Sequence, residues 1–225
     1  MNKKWLLSYP RSGSNWLKYC IEALTNFEVS TLIDCKKITE DIILKDHGHV
    51  SNFWNNYSEF DTIILIVRNY KECITRHIDI TNYDELKKEF QNKTPIQSGI
   101  DDTDFIMLLD LYDKSKGPKI LIYYEDFILN PKKELEKILK FLLNLNAHIK
   151  ISLNDFLINF NSHKEKSIQY YRNNFSASIT RGDKDKLFYH SKKINIEDRK
   201  KLDNFLQHEY PDLFKKYLQR YLENE

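Results

Sequence analysis

The sequence predicts an α/β fold, a three-layer sandwich in which a central parallel sheet is flanked by helices, and two observations carry the prediction. Short apolar runs at Trp5–Leu7, Ile42–Leu44, Ile63–Val67 and Ile120–Tyr123 punctuate the N-terminal half. The middle two are continuous rather than alternating, as expected of strands covered on both faces. Between several of the runs, apolar residues recur at the three-to-four spacing of a helix with one buried stripe. With 225 residues, 41% of them hydrophobic and 13% aromatic, the chain suits one domain, residues 1–225, with a sizeable core.

Taken in order, Trp5–Leu7 predicts the first strand. Trp16, Cys20, Leu24 and Phe27, with Leu17 and Ile21 beside them, then predict a helix. Cys73, Ile74, His77 and Ile78 repeat the pattern more briefly after the third run. Asn130–Pro131 supplies an N-cap followed by proline in the first turn, and Leu135, Ile138, Leu139 and Leu142 the stripe of the helix behind it. Leu202, Phe205, Leu206, Leu213, Phe214, Tyr217, Leu218 and Tyr221 read as a helix pair interrupted near Tyr210–Pro211. Residues 82–103 and 164–190 are polar with weak periodicity and are expected as long loops, with functional use and surface insertion both open for the first of them.

Lys and Arg number 35 against 33 Asp and Glu, so the overall field gives little reason to expect nucleic acid or an anionic membrane as partner. Any anion site must be local. Cys20, Cys35 and Cys73 form an odd set without metal-ligand spacing, each beside apolar neighbours, which points to reduced buried thiols. The apolar run before Ser8 is too short for a signal-peptide core, and no run approaches a membrane span, so a cytoplasmic setting is expected.

Ligands of open parallel sheets sit at the carboxyl ends of the strands, where loops converge and helix N-termini point inwards. Each apolar run here ends in polar residues of chemical interest: Tyr9–Ser14, then Lys45–His49, then Arg68–Asn69, then Tyr124–Asp126. The first turn is the most specific. Gly13 permits a positive φ or a close backbone approach, Ser12 and Ser14 offer hydroxyls, the following helix start presents N–H groups to an anion, and Arg11 adds a permanently charged fork. The turn lacks the first glycine and the Gly-Lys pair of a nucleoside-triphosphate P-loop, and has one glycine where the dinucleotide fingerprint needs three. What remains is a phosphate loop of another kind.

At this point the residues resemble a family, the sulfotransferases that use 3′-phosphoadenosine 5′-phosphosulfate (PAPS). Tyr9-Pro10-Arg11-Ser12-Gly13-Ser14-Asn15-Trp16-Leu17 matches the family's 5′-phosphosulfate loop, roughly Y-P-[KR]-S-G-[ST]-x-W-L. Arg68-Asn69-Tyr70-Lys71-Glu72 is similar to its R-N-P-x-[DE] stretch, with tyrosine for proline. Tyr123-Tyr124-Glu125-Asp126-Phe127, followed by Asn130-Pro131, resembles its Y-E-D-[LM]…N-P segment.

The resemblance implies a P-loop-like sandwich that binds PAPS as co-substrate, without a metal, and transfers its sulfuryl group to a hydroxyl, or an amine, of a small acceptor. It implies that Arg11, Ser12, Gly13, Ser14, Asn15 and Trp16 hold the 5′-phosphosulfate and neighbouring adenosine, with Trp16 against the adenine. Arg68 would contact the 3′-phosphate and Tyr124 would help line the adenine pocket. The family commonly places a second 3′-phosphate ligand, a serine, eight residues after that arginine; Arg76 stands there, with Thr75 as the fallback. Arg181 and Gly182, in a looser match, would close over the cofactor.

Arg11 occupies the place of the family's catalytic lysine and is expected to stabilise charge on the leaving phosphate. Lys45-Asp46-His47 resembles the K-[ST]-H triplet that holds the general base, which makes His47 the expected base and His49 its competitor. Residues 82–118 and 164–190 are expected to build the acceptor pocket or its lid, with Tyr83, Phe90, Phe105, Tyr170, Tyr171 and Phe175 as lining or as core. A nucleotide kinase-like phosphotransferase and a non-catalytic nucleotide-binding module are the alternatives.

Overall fold

A computed structural model describes residues 2–31, 34, 35, 37–47, 56–78, 82–91, 105–174 and 191–222. Each apolar run becomes a strand: β1 (Lys4–Ser8), β3 (Ile42–Asp46), β4 (Thr62–Val67) and β5 (Lys119–Tyr123), joined by a further strand, β2 (Glu28–Thr31). All neighbouring pairs are parallel, and the order is β2-β3-β1-β4-β5. Every residue of β4 is buried, which is why its sequence after Thr62 is unbroken Ile, Leu and Val, whereas edge strand β5 alternates in exposure.

The two-residue period of the strands divides the core. Trp5, Leu7, Ile63, Leu65 and Val67 face one layer, and Leu6, Ile64, Ile66, Ile120 and Ile122 face the other. Against the second face lie α1 (Ser14–Leu24), α5 (Tyr124–Leu129), α6 (Pro131–Leu143) and α7 (Leu153–Ile158). Against the first lie α2 (Tyr70–Ile78), α3 (Tyr83–Gln91), α4 (Phe105–Lys114) and, after α8 (Phe160–Asn174), the C-terminal helix α9 (Ile196–Glu209) with the irregular turns that follow it to Tyr221. The expected sandwich is therefore present.

From β1 the chain moves towards β2 and β3, and β4 then returns to the other side of β1. The strand order reverses at β1, and that switch point opens a crevice beyond the carboxyl ends of β3, β1 and β4.

Two expectations change, and one left open is decided. Residues 82–91 contain a helix, α3, because Leu86 and Phe90 at i and i+4 are both fully buried, enough to anchor a short helix whose other positions are mostly polar. Within 164–190, α8 carries regular structure to Asn174; residues 175–190 lie outside the described residues. Phe90 and Phe105 are core, 0% and 3% exposed and packed on Tyr70, not pocket lining. Tyr170 is half exposed, and Phe175 and the Tyr171 side chain lie outside the described residues.

Candidate functional site

The turn between β1 and α1 is built from backbone. Arg11 and Gly13 both take the left-handed region, at φ 68° and 87°, and the Ser12 N–H donates to the Tyr9 carbonyl across the turn at 3.2 Å. A left-handed arginine costs on the order of 1–3 kcal/mol, strain of the kind that collects at functional sites. Gly13 is required twice over, since a Cβ there would also stand 2.4 Å from Cδ2 of Tyr124. Its carbonyl accepts from the Trp16 and Leu17 N–H groups, which starts α1, while the N–H groups of Gly13, Ser14 and Asn15 find no acceptor among the described residues. Three successive amides at a helix N-terminus form an anion-binding concavity.

Beneath the turn, Ser12 is buried and its hydroxyl lies 3.2 Å from Sγ of Cys73 on α2. Burial pushes the Cys73 thiol up to about 12, so it keeps its proton. Trp16 sits in an aromatic layer, stacked with Tyr19, Phe127 and Phe156 and edge-on to Phe160. Its Nε1 is buried with no hydrogen-bond partner among the described residues, a donor that a ligand could satisfy.

Arg68 follows directly on β4 and reaches the same turn. Its Nη1 donates to the Arg11 carbonyl at 3.3 Å and its guanidinium lies 4.4 Å from the Tyr124 ring centroid. Tyr124 is thereby held between Gly13 and Arg68. Arg76, two turns along α2, donates through Nε to Oε2 of Glu72 at 3.1 Å, and Nη2 of Arg68 lies 3.7 Å from the same oxygen. Arg11 also feels Arg76: burial first, and then the charge of Arg76, hold its pKa below the usual arginine value. Two guanidinia, those of Arg68 and Arg76, thus meet one buried carboxylate, and Arg11 lies within electrostatic reach of Arg76. Thr75, the fallback for Arg76, is 1% exposed and its hydroxyl donates back to the Lys71 carbonyl at 2.6 Å, so it is used up within the helix.

On the other side of the turn, parallel pairing of β3 with β1 brings His47 beside Ser8. Nδ1 of His47 lies 2.8 Å from the Ser8 carbonyl oxygen and 3.1 Å from its hydroxyl. A carbonyl only accepts, so Nδ1 carries the proton and the lone pair of the neutral ring is on Nε2. Two residues earlier, Lys45 donates to Oδ1 of Asn15 at 2.5 Å. Burial, and then the charge of Lys18, hold its ammonium down to about 8. Sequence reasoning met Lys45 only as the neighbour of His47. The available signal was the two-residue strand period, which sends both side chains of the triplet's ends to one side.

The C-terminal turns brace these loops from behind. One carboxylate oxygen of Glu125 accepts from the Asn69 N–H at 3.0 Å and the other from the Tyr221 hydroxyl at 2.8 Å. Lys71 donates to Asp203 at 2.9 Å and to the Tyr221 carbonyl at 3.2 Å, and Tyr70 also donates to Asp203. Arg220 grips Asp126 with both nitrogens, at 2.8 and 2.6 Å, over the ring of Tyr123.

The structure therefore brings together Arg11, Ser12, Gly13, Ser14, Asn15, Trp16, His47, Arg68, Arg76 and Tyr124. His49, Arg181 and Gly182 lie outside the described residues. Among the described residues no group of three or more His, Cys, Asp or Glu could hold a metal ion, and no helix is long and apolar enough to cross a membrane.

This is an α/β sandwich with an amide-lined turn at its switch point, and the class has solved relatives in shape. The fold is similar to that in the crystal structure of mouse sulfotransferase SULT7A1 complexed with PAP, with a TM-score of 0.63 over 96% of this chain and 89% of that one, at 15% sequence identity. No protein-family model matches the sequence, and no curated protein matches it.

Proposed function

We propose that this chain is a sulfotransferase that moves a sulfuryl group from PAPS to a hydroxyl, or an amine, of a small acceptor. The observation that carries the reading is a pair of adjacent anion sites, the amide-lined turn at Arg11–Asn15 and the guanidinium of Arg68, joined by the 3.3 Å bond from Arg68 to the Arg11 carbonyl. A nucleotide with phosphate at both its 5′ and 3′ positions would occupy both. The likeness of the fold to a sulfotransferase solved with PAP supports the same reading.

In the proposed reaction the acceptor oxygen attacks sulfur as the bond from sulfur to the bridging oxygen breaks, and the electron pair leaves with the 5′-phosphate. Nε2 of His47 takes the acceptor's proton, because the Ser8 carbonyl has already fixed the proton on Nδ1. Arg11 donates hydrogen bonds where charge builds on the leaving phosphate; as a guanidinium it does not act as an acid near neutral pH. The three amides and the Ser14 hydroxyl position the donor while Ser12 braces the turn on Cys73 from beneath, and positioning is the larger part of such a transfer. Trp16 and Tyr124 would lie beside the adenine, where Nε1 of Trp16 could find an acceptor.

The test is whether the 3′-phosphate matters. Two charge-assisted hydrogen bonds of ~1.5–3 kcal/mol each predict that PAP binds at least ~100-fold more tightly than adenosine 5′-phosphate. Equal affinities would overturn the assignment in favour of a phosphotransferase. With PAPS and an acceptor panel, Arg11→Ala and His47→Ala should both lose transfer, while His47→Ala keeps its affinity for PAP.

A further inference from the structure

Glu72 is 0% exposed, on the side of α2 that meets the guanidinia of Arg68 and Arg76. Its Oε2 lies 3.1 Å from Nε of Arg76 and 3.7 Å from Nη2 of Arg68, whose side chains are 12% and 6% exposed. Arg68, Glu72 and Arg76 follow one another at four-residue intervals, so one carboxylate stands between two cations that would otherwise repel. We propose that Glu72 is a positioning residue that locks Arg68 and Arg76 into a single two-guanidinium clasp for the 3′-phosphate, a proposal that rests on the PAPS reading above.

The charges agree with this. Arg68 and Arg76 less Glu72 leave the clasp a surplus of one positive charge, the sign a phosphate requires. Arg76 stands where a hydroxyl would serve in the resembling family, and a long side chain with four rotatable bonds needs an anchor that a serine does not. An unanchored arginine would pay rotamer entropy each time it closed on the ligand. Lys71, the neighbouring cation, is engaged on the opposite side by Asp203 at 2.9 Å and takes no part.

Two physical roles for Glu72 predict opposite signs. If it only lowers the local positive charge, Glu72→Gln should tighten anion binding. If it fixes geometry, the same change should weaken binding at the 3′-phosphate alone.

The experiment measures affinities of the full chain for PAP and for adenosine 5′-phosphate by calorimetry. In the parent chain PAP is preferred; no preference would overturn the PAPS reading and this inference together. Given that preference, Glu72→Gln is expected to reduce it at least about tenfold while affinity for adenosine 5′-phosphate stays within about threefold. Glu72→Asp, which keeps the carboxylate, should restore part of it. Arg76→Lys leaves Glu72 in place and keeps the charge but loses the fork, and it too should reduce the preference about tenfold. A preference kept in Glu72→Gln, whatever Arg76→Lys does, an increased preference, or an equal loss for both nucleotides would overturn the positioning role and leave the PAPS reading standing.

Discussion

The two proposed anion sites at the centre of this molecule are made of different material. The turn at residues 8–16 uses backbone: left-handed residues at 11 and 13 and three amides with no acceptor among the described residues. The site at residues 68–76 uses side chains: two arginines set by a buried glutamate. A backbone site tolerates most side-chain changes and fails where the chain path itself is disturbed. A side-chain site fails one ligand group at a time. The contrast decides which substitutions should matter for the whole nucleotide and which only for its 3′ end.

The largest expected effect is at Gly13. Gly13→Ala combines a positive φ with a Cβ placed 2.4 Å from the Tyr124 ring, so Tyr124 and the Arg68 stacked on it must both shift. Affinity for PAP and for adenosine 5′-phosphate should fall together by at least about 100-fold, with far-UV circular dichroism unchanged. Arg68→Gln comes next and should weaken PAP by about 10–100-fold while sparing adenosine 5′-phosphate. If both nucleotides suffered equally, the division between the two materials would be wrong.

Cys73→Ala probes the seam between the sites, since it removes the partner of the buried Ser12 hydroxyl. One neutral hydrogen bond lost beneath the turn should cost about three- to tenfold in affinity for both nucleotides.

Lys45 gives the smallest effect, read by pH. Its folded-state value is lowered to about 8 from an ordinary 10.5, so the unfolded chain binds more protons between those limits and the stability of the nucleotide-free protein should rise there. An anion beside Asn15 favours the charged lysine, so nucleotide affinity should instead fall as pH passes about 8. Comparison of the wild type with Lys45→Met isolates both slopes, and slopes of the same sign would remove Lys45 from the site.

Much of this was legible in the sequence. Four of the five strands stand out as short apolar runs, β1 and β4 because they are buried on both faces or nearly so, and the turn stands out because a lone glycine after a strand, flanked by serines and an arginine, has few other uses. The strand β2 does not: in Glu28-Val29-Ser30-Thr31 only Val29 is buried, and an edge strand of that length has no periodicity to show. Helix α3 is hidden for the same reason, with Leu86 and Phe90 as its fully buried anchors. Arg76 could be placed by its spacing from Arg68. The roles of Glu72 and Lys45 depend on what packs around them, and neighbours from other strands and helices are not written in local spacing.

The braces behind the loops bear on the order in which the protein folds. Glu125 with Tyr221, Lys71 with Asp203, and Lys71 with the Tyr221 carbonyl join residues 96, 132 and 150 positions apart. Contacts that span so much chain close late, because the loop entropy must be met before they form. The sheet and the turn at Gly13 can assemble from nearer partners, so the loop bearing Arg68 and Asn69 is set only when Tyr221 arrives. Partial unfolding from that end would release the loop at Arg68 and Asn69 first and leave the turn at Gly13 standing.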